Sequence, residues 1–169
     1  MKRLIGFLCI LIFLNCATNH YFSRKLKKSK TVIAVLPFTG KGMSKTLGYL
    51  AADELTTLIY IEKKIPVIDR SRVNFILKEL EIENPYFLSR DNLTTIADSL
   101  GANVIILGMM NRENESPDPE KSVNYLNITL RFLDAESGEV IGIIYEKDTT
   151  GEPPFKVIPV MLENIVRQL

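Results

Sequence analysis

The residues of this 169-residue chain that come nearest to a chemical constellation are Thr39-Gly40-Lys41-Gly42-Met43-Ser44-Lys45-Thr46, between an apolar run and a helical pattern. A phosphate-binding loop sits at such a place. Its glycines let backbone amides wrap the phosphates, and its Lys-Ser/Thr pair reaches phosphate and metal. Here Lys45-Thr46 follows Ser44, and Thr39 stands where the opening glycine belongs. The stretch therefore reads as a strand-to-helix connection, and nucleotide hydrolysis ranks third among the functional readings. The lone histidine, His20, lies in a polar N-terminal stretch where nothing fixes its geometry. Asp53-Glu54, Glu79, Glu81 and Glu83 fall on helical patterns, where alternate residues do not share a face, and read as solvated surface. Glu113, Glu115, Asp118 and Glu120 crowd one loop but lack the glycine and final glutamate of an EF-hand. No catalytic residue and no metal ligand is assigned, and the expectation is a protein that is not an enzyme.

Cys16 carries the one chemical expectation that survives. Lys2 and Arg3 precede an eleven-residue apolar run, Leu4 to Leu14. That run is too short for a spanning helix, which needs about 20 residues, and fits a secretory signal. A cysteine at the expected cleavage site resembles a bacterial lipoprotein signal, in which the cysteine is acylated and becomes the first residue. Phe13-Leu14-Asn15-Cys16 is bulkier than the usual box and is similar to the looser boxes of spirochaete lipoproteins. The expected organisation is a signal peptide over 1–15, the acylated Cys16 with a basic tether over 16–30, and one domain over 31–169. The lipid on Cys16 is the only expected cofactor-like group. Cys9 leaves with the signal, so the mature chain has no second thiol for a disulfide, zinc site or Cys-His pair.

Charge narrows the partners. Without residues 1–15 the chain holds 19 basic and 20 acidic residues, and five of the basic ones are Arg24, Lys25, Lys27, Lys28 and Lys30. From Thr31 onward 14 basic residues face 20 acidic, a net of −6 that argues against nucleic-acid binding, which wants a basic face. The basic cluster reads as a solvated tether, with electrostatic help to the anchor as its other reading. Ala17–Lys30 would give a reach of about 50 Å at ~3.5 Å per residue.

The elements that must hold any site follow from periodicity. Thr31–Phe38 reads as a strand buried on both faces. Ser44 caps a helix with Leu47, Leu50, Ala51, Leu55, Leu58 and Ile59 at helical spacing. Ile65–Asp69 is predicted as a short strand, and Val73, Ile76, Leu77 and Leu80 mark a second helix. Ser89 and Gly101 bound a third, followed by a strand over Asn103–Met110. Arg112–Lys121 is a polar loop. In Ser122–Asp134 the residues Leu126, Ile128, Leu130 and Phe132 alternate with Tyr125, Asn127, Thr129 and Arg131, which describes a strand with one wet face. Val140–Lys147 is its hairpin partner, and a last helix has Pro159 in its first turn. The sum is a single mixed five-stranded α/β sheet flanked by helices, in the order β-α-β-α-α-β-β-β-α.

Several motifs, in order and spacing, resemble the CsgG-like lipoproteins. They are Ile33–Phe38, Leu50–Leu58, Val67–Arg70, Ile76–Leu80, Ala97–Gly108, and Leu130–Asp134 with Ser137–Val140. That group includes the curli secretion channel and is similar in fold to the LpoB activators and the TolB N-terminal domain. Asp69-Arg70 sits where strand meets helix, so Asp69 reads as a cap, and the resemblance implies an anticodon-binding-domain-like α/β fold and no enzyme active site. A pore of that kind needs two membrane-crossing hairpins per subunit, and every predicted strand here is already used by the sheet.

The leading expectation is thus a lipoprotein anchored through Cys16, on the periplasmic face of the outer membrane, that binds an envelope protein as an accessory or assembly factor. The alternative is a subunit of an oligomeric secretion channel, and a homo-oligomer is allowed for. The contact surfaces expected are the Arg112–Lys121 loop, the Tyr86-Phe87 loop, and the face bearing Tyr125, Asn127 and Arg131.

Overall fold

The computed structural model describes residues 19–22, 30–114, 124–148 and 152–169. Cys16 and the signal, Arg24, Lys25, Lys27 and Lys28, and the loop residues Glu115, Asp118 and Glu120 lie outside them. The elements are β1 (Asn19–Phe22), β2 (Ile33–Val35), α1 (Lys45–Leu58) with a π-helical turn over Ile59–Lys63, α2 (Arg70–Glu79), α3 (Arg90–Leu100), β3 (Val104–Asn114), β4 (Asn124–Asp134), β5 (Val140–Asp148) and α4 (Pro154–Arg167). The strands form one sheet in the order β1-β5-β4-β3-β2. Only β2 and β3 run parallel; the other neighbours are antiparallel.

Local chemistry places the helices as the sequence predicts. The Ser44 and Ser89 side chains accept from Leu47 N–H (3.2 Å) and Asn92 N–H (3.1 Å) at the starts of α1 and α3. Asp69 caps α2, accepting from the Ser71 backbone at 2.8 Å and from the Ser71 hydroxyl. Those two bonds, the hydroxyl's first, hold its carboxyl below the usual range. Gly101 ends α3 with φ of 67°, the left-handed turn that favours glycine.

The mixed five-stranded sheet is present, but its fifth strand is not the segment predicted. Ile65–Asp69 contributes one bridging residue, Val67 against Ile33, through bonds from Ile33 N–H to Pro66 O and from Ile68 N–H to Ile33 O. Pro66 has no N–H to extend the ladder, and Asp69 is already turned into its cap. The fifth strand is β1, inside the stretch read as tether. Phe22 sits opposite Gly142, where a Cβ would fall 2.3 Å from its ring, and meets Phe132 at 5.0 Å between centroids.

Two further boundaries differ. β3 continues through Asn114, so Arg112 is a strand residue, exposed at the sheet's end, and not the start of a loop. α4 starts at Pro154, which places Pro159 inside the helix and not in its first turn. The Phe155 carbonyl loses its helical donor there, at a position open to water.

Each sheet face carries its own core. α1 and α4 cover one face, packing Leu55, Ile59, Met161 and Leu162 on Ile106, Ile128, Leu130 and Phe132. α2 and α3 cover part of the other, packing Val73, Leu77, Leu93 and Ile96 on Leu36, Ile105, Leu107 and Leu133. Arg70 ties the two helix layers together. Its side chain is 12% exposed, donates to Asp53 at 2.7 Å and to the Val35 carbonyl at 2.9 Å, and lies 5.6 Å from the Tyr49 ring. Among the described residues no helix is long and apolar enough to cross a membrane.

Candidate functional site: a partly bare sheet face

The second core stops short, and that creates the surface of interest. Past Leu107 on β3 and Leu133 on β4 the sheet continues without a covering helix. Its residues there are Met109 and Asn111, then Tyr125, Thr129 and Arg131, all half-buried. On β5 and β1 the same face carries Ile143, 39% exposed, and Tyr21, 67% exposed.

The rim of this bare face is built by the Asn84–Leu88 loop. Asn84 accepts from Tyr86 N–H at 3.1 Å and closes the turn. Arg131 reaches up from β4, donates to the Tyr86 carbonyl at 3.0 Å and lays its guanidinium 4.1 Å from the Tyr86 ring centroid. Tyr86 in turn meets Phe87 edge-on at 5.4 Å, and Phe87 is 75% exposed. Below them lies a cavity of about 230 Å³ between α3, β4 and the β4–β5 turn. Arg131 Nε is buried without a hydrogen bond. Phe87 thus stands exposed beside Tyr86, the ring that Arg131 stacks on, and exposed aromatics with an arginine are residue types enriched in binding anchors.

The predicted contact residues are therefore sorted by the structure. Tyr86, Phe87 and Arg131 are brought together. Tyr125 lies at the other end of the same face under Lys147, whose ammonium sits 3.8 Å from its ring. Asn127 was expected on a wet face but is only 8% exposed. Its cross-strand neighbour Lys147 reaches past it to Tyr125. Arg112 is exposed on β3, away from the Tyr86 group. Truncating Arg131 to alanine should cost about 1 kcal/mol through the lost carbonyl bond and stacking. It should also speed amide exchange at Tyr86–Leu88 while α4 amides keep their protection, as hydrogen-exchange measurement would show.

The Thr39–Thr46 connection has structural work. Gly40 lies against Met110, where a Cβ would fall 1.6 Å from the carbonyl oxygen. The Lys41 N–H donates to Asn111 Oδ1 at 2.9 Å, and the Lys41 carbonyl accepts from Arg112. The Lys41 backbone and the Ser44 hydroxyl, which caps α1, are thus used by the fold itself. An open cleft of about 530 Å³ lies beside it, between Lys45, Tyr49, Asn74 and Lys78. Among the described residues no three His, Cys, Asp or Glu side chains gather as a metal site requires.

No protein-family model and no curated protein sequence matches the chain. Solved structures do. The PelC dodecamer from Paraburkholderia phytofirmans superimposes with a TM-score of 0.60 at 14% identity, over 90% of this chain and 96% of that one. The lipoprotein GNA1162 from Neisseria meningitidis gives 0.57 at 16% identity, over 82% and 96%. The LpoB C-terminal domain from Salmonella enterica gives 0.53 at 12% identity, over 71% and 83%. The chain thus has the α/β fold seen in PelC, in GNA1162 and in the C-terminal domain of LpoB.

Proposed function

We propose that the chain is a cell-envelope lipoprotein, acylated on Cys16, whose domain is not an enzyme and binds an envelope protein as an accessory or assembly factor. The observation that carries this reading is the Arg131–Tyr86–Phe87 rim, an exposed aromatic held rigid above a partly bare sheet. The likeness to the lipoprotein GNA1162 supports the envelope setting, and the periplasmic face of the outer membrane is the location proposed. Neither nucleic acid nor a soluble cofactor enters the reading. A photo-crosslinking amino acid at position 87, in living cells, tests it. The expected result is a discrete adduct with one envelope protein that is lost on adding Arg131→Ala. Adducts equal to those from a probe at exposed Ile61 would contradict it.

A second reading is a homo-oligomer, in its extreme form a subunit of a secretion channel. It is favoured by the PelC structures, which are dodecamers and match along nearly their whole length. Light scattering of the detergent-extracted chain separates the two: a monomer fits the accessory reading, and a ring of many subunits fits the second.

A further inference from the structure

Strand β1 changes what the proposed anchor implies. Read as a free tether, Ala17–Lys30 would let the domain range about 50 Å from the membrane. Instead Asn19, His20, Tyr21 and Phe22 pair in register with Tyr145, Ile144, Ile143 and Gly142. Phe22 is locked over Gly142 and against Phe132. Between Cys16 and the sheet there remain only Ala17 and Thr18. Three peptide steps span at most about 11 Å.

We propose that β1 is a clasp that seats one end of the domain directly on lipid headgroups. The inference rests on the acylation of Cys16 proposed above. The topology says which end. Asn19 lies beside Tyr145, near the C-terminal end of β5, where α4 begins with the exposed Phe155 and Lys156. The same level crosses the sheet at Thr129 and Met109. From there β4 and β3 stay paired for five more positions, to Asn124 and Asn114, which is about 17 Å at 3.4 Å per residue.

This β3–β4 arm therefore extends past the farthest level Cys16 can take by at most about 6 Å, a projection that the sheet's twist shortens. The polar layer of a bilayer is about 5–7 Å deep on each side. An arm with exposed Arg112 suits that layer and not the hydrocarbon. The basic cluster, by contrast, belongs to the connection from Phe22 to Ile33. It leaves β1 at the end away from Cys16, and Lys30 is bonded there through its carbonyl to Asn103, beside the start of β3.

Energy transfer to the membrane reads the seating. The acylated chain, its acyl groups verified by intact mass, is placed in phosphatidylethanolamine–phosphatidylglycerol vesicles carrying a headgroup-linked acceptor dye. A donor is attached through Lys156→Cys at the seated end, or through Ile61→Cys about 20 Å farther along the helices at 1.5 Å per residue. Transfer from position 156 should exceed that from 61 severalfold. A Gly-Ser insert of about 20 residues between Ala17 and Thr18, with a span of roughly 25 Å, should abolish the difference. Equal transfer from the two positions in the acylated chain, or no effect of the insert, overturns the seating and leaves the anchor standing. A chain that carries no acyl group overturns both.

Discussion

Phe132→Ala should destabilise the domain by about 3–5 kcal/mol, the range for emptying a fully buried aromatic site. Phe132 has no exposed surface, lies on the central strand β4, and is the ring on which Phe22 rests. With total stability of a domain this size about 5–15 kcal/mol, the loss is a large fraction. Denaturant unfolding checks the size. Hydrogen exchange checks the mechanism: the β1 amides should open first, because the contact that pins Phe22 is gone. Phe132→Leu, which keeps most of the volume, should cost clearly less. Equal costs for the two variants would mean that the cavity does not set the energy.

Gly48→Ala should destabilise by about 2 kcal/mol, against the sign that helix propensity gives. Alanine is better than glycine inside a helix by about 0.8–1 kcal/mol. At this position, though, a Cβ would fall 2.0 Å from the Phe38 carbonyl oxygen and 3.0 Å from its carbon. Phe38 is held there by its own N–H, which donates to the Gly48 carbonyl at 3.1 Å. The obstacle is backbone and not a movable side-chain tip, so overpacking of about 1–3 kcal/mol outweighs the propensity gain. Thermal unfolding of the variant decides the sign. A raised midpoint would show that the Phe38 backbone and α1 can part without cost.

These two sites show which parts of the molecule were legible in the sequence. Signals that act within a few residues were: Ser44, Asp69, Ser89 and Gly101 bound helices because capping is a local hydrogen-bonding problem. The alternation through Phe132 in β4 was legible for the same reason, since one buried face demands period two. β1 was not. Asn-His-Tyr-Phe has no periodic run, and its pairing is decided by the gap at Gly142, more than a hundred residues away. Val67 shows the converse, a β-rich run reduced to one bridge by its neighbour Pro66.

The candidate site was half legible. Tyr86, Phe87 and Arg131 each stood out as residues suited to an interface. That Arg131 supports the Tyr86 loop is a long-range fact, which no local pattern carries. Asn127 looked solvent-facing by alternation, yet it is 8% exposed, beside its cross-strand neighbour Lys147. Arg70 is legible only as the end of the Val67–Arg70 motif, and its bonds to Asp53 and the Val35 carbonyl depend on elements that meet only in the fold.

A lipid at Cys16, three residues ahead of the sheet, underlies both the proposed function and the proposed seating. Intact-mass analysis of the chain extracted from cell envelopes tests this most directly. The predicted species begins at Cys16, lacks residues 1–15 and carries the added mass of acyl chains; Cys16→Ala should abolish that species and release the chain from the membrane. A chain that keeps residues 1–15, or begins at any other residue without acyl mass, would contradict the account.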